Sequence, residues 1–315
     1  MNDTASKPAN GMSAAANTAD GFDFRAMHAR IDALLDKQVF FLGGAVKSGT
    51  TWLQALLDAH PHVSCTGENH FVDCLSPTLK KSLEEYNRIL LDPRGNTAYQ
   101  LGKQPTLFDT AEYFYVLCTA MLALMLKQAG GRSVLAVGDK TTVNVQAFAQ
   151  LSKLLPGSKH VHIVRDPRDG AVSGWHHVSR LFPDETRQKF PAMLDYVKHY
   201  ADIWALEVGR GVAFGSQKPD RYLEIRYEDL VAQTAATLAA IFRFLGVDPG
   251  ADVVQHCIKA ASFETLSGGR ARGQENPGSF FRKGVVGDWK TRLDPVSAEY
   301  VVATCGPLMT RFGYL

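Results

Sequence analysis

Several things are scarce or missing in this 315-residue chain. Cysteine is sparse, with Cys65, Cys74, Cys118, Cys257 and Cys305 forming no Cys-x-x-Cys pair and no metal-ligand spacing. That argues against a disulfide framework or a zinc ribbon and leaves reduced thiols in a cytoplasmic protein as the expectation, with no metal. Neither sign of charge dominates, since 34 Lys and Arg face 32 Asp and Glu for a net +2. Such a balance gives no general pull toward nucleic acid or membranes, so any basic site has to come from local clustering. A transmembrane segment is not expected either, because crossing a bilayer takes roughly 20 apolar residues. The most apolar run, Val116 to Leu126, is read as a buried core helix. The N-terminus is rich in Ala, Asn, Ser and Thr and has no apolar signal segment. Residues 1–22 are therefore expected to be a disordered tail, and 23–315 a single domain. No internal repeat is visible.

What is present is an ordinary globular composition, 45% hydrophobic and 21% charged, arranged as strands alternating with helices. Gln38–Gly43 reads as a strand buried on both faces, followed by a helix from Thr50 to His60 that Pro61 stops. Val134–Gly138 is a second strand, before a helix over Val145–Leu155. His160–Val164 is a third, before a helix over Asp169–Arg180, and Tyr222–Arg226 is a fourth, before a helix over Thr234–Leu245. This order implies an α/β fold with a central parallel sheet flanked by helices, joined by right-handed crossovers. Residues 64–130 have helical periodicity and no clear strand, and are expected to form a helical substrate lobe. Residues 266–292, rich in glycine and arginine, read as a mobile loop.

The first strand runs into Gly44-Ala-Val-Lys-Ser-Gly-Thr-Thr-Trp52. Backbone N–H groups and a helix N-terminus there can hold a phosphate, with Lys47, Ser48, Gly49, Thr50 and Thr51 around it. A Walker A loop places its lysine directly after the second glycine, whereas Thr50 stands there and Lys47 lies two residues before Gly49. The loop thus suits a nucleotide but not a magnesium-bound triphosphate. At the carboxyl end of the third strand stands Arg165, where open α/β sheets bind ligands, with Ser173 eight residues on. The pair could clamp a second phosphate, or Arg165, Asp166, Arg168 and Asp169 could form only a salt-bridge network.

Together these motifs resemble the PAPS-dependent sulfotransferases, whose fold is that of P-loop NTPases. Lys47-Ser-Gly-Thr-Thr-Trp52 looks like their 5'-phosphosulfate loop, and Arg165 with Ser173 like their 3'-phosphate site. Phe281-Arg-Lys-Gly-Val-Val-Gly-Asp-Trp-Lys290 is similar to the segment that closes on the cofactor. The resemblance implies sulfonate transfer from PAPS to a hydroxyl or amine, without metal. Lys47 would stabilise charge on the departing 5'-phosphate. Arg165, Ser173, Arg282, Lys283 and Gly284 would bind the 3'-phosphate. Trp52 and Phe263 would sandwich adenine, near Tyr227 and Ser262, with core packing the alternative for both rings.

The cytosolic enzymes carry their catalytic histidine after a Lys-Thr pair, but here Lys140-Thr141 is followed by Thr142. The segment Leu57 to Glu68 instead resembles the protein-tyrosine sulfotransferases, and Gly138-Asp-Lys-Thr141 those acting on tyrosine and glycans. This implies Glu68 as base and Lys140 as a second stabiliser, with His70 as the rival base. A surface or capping carboxylate and a structural histidine are the alternatives. His176 and His177 read as structural. The acceptor, whether small molecule, glycan or tyrosine, is not legible, and the oligomeric state, a homodimer included, stays open. A P-loop kinase or NTPase, or a silent nucleotide-binding protein, are the competing readings.

Overall fold

A computed structural model describes residues 22–94 and 101–315. The tail expected over residues 1–22 lies almost wholly outside them, as does part of the expected lobe. In chain order the elements that frame the site are α1 (Phe24–Leu35), β1 (Gln38–Gly43), α2 (Thr50–Asp58), β2 (Val63–Ser64), α3 (Ser76–Leu90) and α4 (Thr110–Ala129). Next come β3 (Ala136–Lys140), α5 (Asn144–Leu154), β4 (Lys159–Val164), α6 (Pro167–Leu181), α7 (Pro183–Lys189), α8 (Met193–Gln217) and β5 (Tyr222–Arg226). The chain then continues through α9 (Tyr227–Ala232), α10 (Thr234–Leu245), α11 (Ala251–Ala260), α12 (Phe263–Ser267), α13 (Trp289–Arg292) and α14 (Pro295–Arg311).

The strands form one sheet of order β2-β3-β1-β4-β5, with every pairing parallel. β1 is central because it is apolar on both faces: Phe40 and Leu42 pack with Leu53, Leu56 and Leu57 of α2 and with Ile241 and Phe242 of α10. Val39 and Phe41 pack on the opposite face with Phe148 of α5 and Met121 and Met125 of α4. A third apolar cluster joins Trp204 of α8 to Val301 and Met309 of α14. Burying such side chains contributes about 1.5–3 kcal/mol each, which fixes the strand ends that carry the site.

Three expectations shift. The second expected strand lies two residues later, over Ala136–Lys140, since Asp139 and Lys140 continue the ladder opposite Phe41 and Leu42 of β1. Polar residues end the apolar pattern there, yet both are buried. A fifth strand, Val63–Ser64, extends the sheet beyond β3. The apolar run Val116–Leu126 belongs to a 20-residue helix that is long and apolar enough to cross a membrane by length and composition. In this fold it seats Leu117, Met121 and Met125 against the core while Tyr115 and Leu124 stay exposed.

Candidate active site

The loop between β1 and α2 is held in a conformation that ordinary residues avoid. Gly49 has φ 99°, and a β-carbon on it would run into the Tyr227 ring. Lys47 has φ 67°, so a non-glycine residue sits in the left-handed region, which costs on the order of 1–3 kcal/mol. The strain places the Lys47 ammonium inside the cavity, 4.3 Å from the centroid of the Phe280 ring. Burial first, then the nearby charges of Arg165, Arg180 and Lys140, push its pKa down from 10.5 to about 8. Thr50 opens α2, and Thr51 and Trp52 follow in its first turn. The Ser48 hydroxyl is buried without a partner among the described residues.

Arg165 leaves the end of β4 and ties two loops together. Its guanidinium donates to the carbonyl of Lys47 at 3.2 Å and to that of Val285 at 3.1 Å, and lies 4.4 Å over the Tyr227 ring. Its Nε is buried without a partner among the described residues. The salt-bridge alternative is partly realised: Arg168 pairs with Asp166 at 2.7 Å, and Arg165 lies 3.8 Å from Asp169. Ser173, further along α6, lines the cavity that Lys47 and Arg165 share.

The closing segment is anchored by Asp169 of α6, whose carboxylate accepts the N–H of Gly287 at 2.7 Å and of Trp289 at 3.0 Å. Within the segment, Arg282 donates to Glu275 and to Asp288, each at 2.5 Å, and Lys283 donates to Asp288 at 2.6 Å. These cations are thus held by internal acids, with Gly284 at φ 67° packed against Phe263. Opposite, the Trp52 indole N–H donates to the carbonyl of Ala261 at 2.9 Å, which fixes the ring. Arg272 places its guanidinium 4.5 Å from the Trp52 ring and 5.6 Å from that of Phe263.

On the other side of the loop the Lys140 ammonium, almost fully buried, donates to Glu68 Oε1. It also reaches Thr51 Oγ1 at 3.4 Å. The other Glu68 oxygen lies 3.7 Å from His70 Nε2, and His70 Nδ1 meets Asp73 at 2.8 Å. The hydrogen bond to Asp73 is the largest cause raising the His70 pKa. Asp139, fully buried at the end of β3, holds this segment in place. It accepts from the Asn69 backbone at 3.0 Å and side chain at 2.8 Å, and from Thr141 and Asn144 at 2.9 and 2.8 Å.

A cavity of about 390 Å³ thus gathers Lys47, Gly49, Thr50, Thr51, Trp52, Glu68, Arg165, Ser173, Tyr227, Phe263, Arg282, Lys283 and Gly284. Four expected site residues do not line it. Ser48 is buried beneath the loop, and Lys140 and His70 stand behind Glu68. Ser262 caps α12 by accepting the N–H of Thr265 at 3.0 Å. Conversely, His177, which reads as structural in the sequence, lines the cavity beside Phe280, ring centroids 5.7 Å apart. Burial, then Lys47 and Arg180, lower its pKa to about 4. Its place one helical turn after Ser173 is the signal that could have found it.

These features define a cavity at a strand–helix glycine loop, lined by cations and aromatic rings with one carboxylate facing it. The profile of the sulfotransferase family matches residues 39–250. The chain belongs to the sulfotransferase family. It is 27% identical over 225 residues to protein-tyrosine sulfotransferase 2 of Gallus gallus, covering 69% of this chain and 53% of that protein. With protein-tyrosine sulfotransferase 1 of Danio rerio it shares 24% over 283 residues, covering 89% and 73%. The chain therefore spans about half the length of the first of these relatives. The crystal structure of mouse sulfotransferase SULT7A1 complexed with PAP shares the fold, with TM-score 0.55, 17% identity and 90% coverage of both chains.

Proposed function

We propose that this protein transfers the sulfonate group of PAPS to a hydroxyl or amine acceptor and releases PAP. The observation that carries this reading is the convergence of Lys47, Arg165, Arg282 and Lys283 with two aromatic rings, Trp52 and Phe263, around a cavity with Glu68 on its wall. Burial first, and then the charges of Arg165, Arg180 and Lys140, disfavour the Lys47 ammonium, and a bound polyanion offsets that. The Ser48 hydroxyl and Arg165 Nε, without partners among the described residues, leave polar capacity beside the same loop. PAPS supplies an activated sulfonate and a nucleotide phosphate as leaving group.

Each residue then has a task. Lys47 neutralises charge on the bridging oxygen as its bond to sulfur breaks, while Thr50, Thr51 and the N-terminus of α2 hold the other phosphate oxygens. Arg165 and Ser173, with Arg282, Lys283 and Gly284 of the closing segment, bind the 3'-phosphate, and Tyr227 supports Arg165 from below. Trp52 and Phe263 hold the adenine. Glu68 accepts the acceptor's proton, and Lys140 positions its carboxylate. The names of the relatives support a tyrosine-type hydroxyl as one acceptor to test. The free thiols support a reducing, cytoplasmic setting.

The kinase reading is not favoured, because nothing follows Gly49 that could serve as a Walker A lysine. The deciding experiment incubates the pure protein with labelled PAPS and a panel of phenols, sterols, sugars and tyrosine peptides, scoring products by mass. Sulfonated product with release of PAP is expected. No PAP release with any acceptor, together with no PAP binding by calorimetry, overturns the assignment.

A further inference from the structure

We propose that His70 is the proton exit of this site, passing to solvent the proton that Glu68 takes from the acceptor. The inference rests on the sulfonate-transfer reading above and on Glu68 as its base.

The arrangement is built for a relay and not for direct attack. Lys140 occupies Glu68 Oε1, which leaves Oε2 as the free oxygen, and that oxygen faces His70 Nε2 at 3.7 Å. The gap is longer than a hydrogen bond, and catalytic contacts of this kind often tighten only in the complex. His70 does not line the cavity, so its ring reaches the reacting centre only through Glu68. On its far side Nδ1 is engaged by Asp73 at 2.8 Å, which in the neutral ring fixes the proton on Nδ1 and leaves the Nε2 lone pair toward Glu68. The side chain is 45% exposed, so its proton has a path to water.

The backbone pays a visible cost to put the ring there. His70 has φ 51°, a left-handed conformation that a non-glycine residue holds only when its surroundings enforce it. It leads into a single π-helical turn, Phe71–Leu75, in which the N–H groups of Cys74 and Leu75 both donate to the His70 carbonyl at 3.0 Å. Such turns are rare and recur at functional sites. The turn also swings Asp73 back onto the imidazole. Just past β3, Thr141 Oγ1 accepts the His70 N–H at 3.3 Å, and from within the strand Asp139 holds the neighbouring Asn69.

The step balances. As the acceptor oxygen bonds to sulfur, its proton moves to Glu68, and the sulfur–oxygen bond to the 5'-phosphate breaks with its electron pair leaving on PAP. Glu68 then passes the proton to His70 Nε2, and the imidazolium releases one to water. The charges around the ring are Asp73 and Glu68 in contact, with Asp139 and Lys140 behind them. The carboxylates favour imidazolium, whereas the relay works through the neutral ring. Turnover should therefore rise with pH as His70 loses its proton, at a pH above that of an ordinary histidine.

The test uses the full chain and any acceptor that the wild-type protein sulfonates. His70→Gln should lower kcat roughly tenfold or more, leave the PAP Kd and acceptor KM unchanged, and recover turnover on addition of imidazole. Asp73→Asn keeps the ring but removes the main cause of its raised pKa, so the acid limb of kcat should move to lower pH. In the double variant the loss should be no greater than in His70→Gln alone. Wild-type kcat and pH profile in His70→Gln, a loss that no added buffer recovers, or an unmoved limb in Asp73→Asn would overturn the relay while leaving the function intact. A wild-type protein that binds PAP yet sulfonates nothing would sink both together.

Discussion

The guanidinium of Arg272 lies 4.5 Å from the centroid of the Trp52 ring, in contact with the aromatic surface assigned to the donor's adenine. It also faces Phe263 at 5.6 Å and is held by a 2.9 Å hydrogen bond to the carbonyl of Gly284. A cation on both rings and a purine between them cannot coexist, so the base has to displace Arg272. The stacking lost is worth about 0.5–2 kcal/mol. Arg272→Ala should therefore raise the association rate of PAP several-fold, read by stopped-flow tryptophan fluorescence. An unchanged or slower rate would show that Arg272 does not stand in the way.

On the proposed function Lys47 should set the pH dependence of PAP binding. Its pKa is about 8 in the free protein, lowered by burial and then by Arg165, Arg180 and Lys140. A bound polyanion favours the ammonium and raises that value, so the complex holds more protons than the free protein in the interval between the two. PAP affinity should be full below pH 8 and fall as pH rises through about 8, by up to roughly tenfold per pH unit. Calorimetry at about pH 8.5, in buffers of different ionisation enthalpy, should report proton uptake on binding, and Lys47→Met should remove it. Binding without proton uptake in the wild type would contradict the assignment.

On the proposed function Glu68 has two roles that one substitution can separate. As base it needs a carboxylate, but as partner of the buried Lys140 it needs only an acceptor oxygen. Glu68→Gln should cut kcat by about 10²–10⁴ while PAP affinity and Tm stay close to wild type. Glu68→Ala should lower Tm as well, because it leaves a buried ammonium unpaired. Full turnover in Glu68→Gln would move the base role to another group, with His177 on the same cavity wall the first to test.

The part of the cavity built by the Lys47 loop and the 282–284 segment was legible because it is local in sequence. Lys47 through Trp52 is one loop and helix start, and Arg282 to Gly284 one short segment. The apolar pattern of Gln38–Gly43 likewise fixes a central strand without help from anything distant. The side around Glu68 was less legible because long-range pairing builds it. Asp139 sits at the end of a strand whose apolar signal stops at Val137, and its four bonds run to Asn69, Thr141 and Asn144. Arg272 and Phe280 belong to a glycine-rich stretch with no periodicity, so only the fold brings them to Trp52 and Lys47. The 25-residue α8 was not anticipated at all. Its buried face, through Trp204 and Val208, is matched to α14, far away in the chain.

Asp169 is where the closing segment is held. It is buried in the first turn of α6, and its two oxygens take the N–H groups of Gly287 and Trp289 at 2.7 and 3.0 Å. The Trp289 ring is pinned in turn by the Arg168 guanidinium, 3.8 Å from its centroid. In Asp169→Asn one oxygen becomes an NH2 group facing a donor, so one charge-assisted bond is lost and the other becomes neutral. That weakens the docked state of the segment by on the order of 2 kcal/mol, or about thirtyfold. Trypsin cleavage after Arg270 and Arg272 should accelerate, hydrogen exchange over residues 268–288 should rise, and the PAP Kd should increase. Because the sheet and the apolar clusters packed on it do not depend on this anchor, global Tm should fall by only a few degrees. Unchanged proteolysis with weakened PAP binding would mean instead that Asp169 acts on the donor through Arg165, 3.8 Å away, and not through the loop.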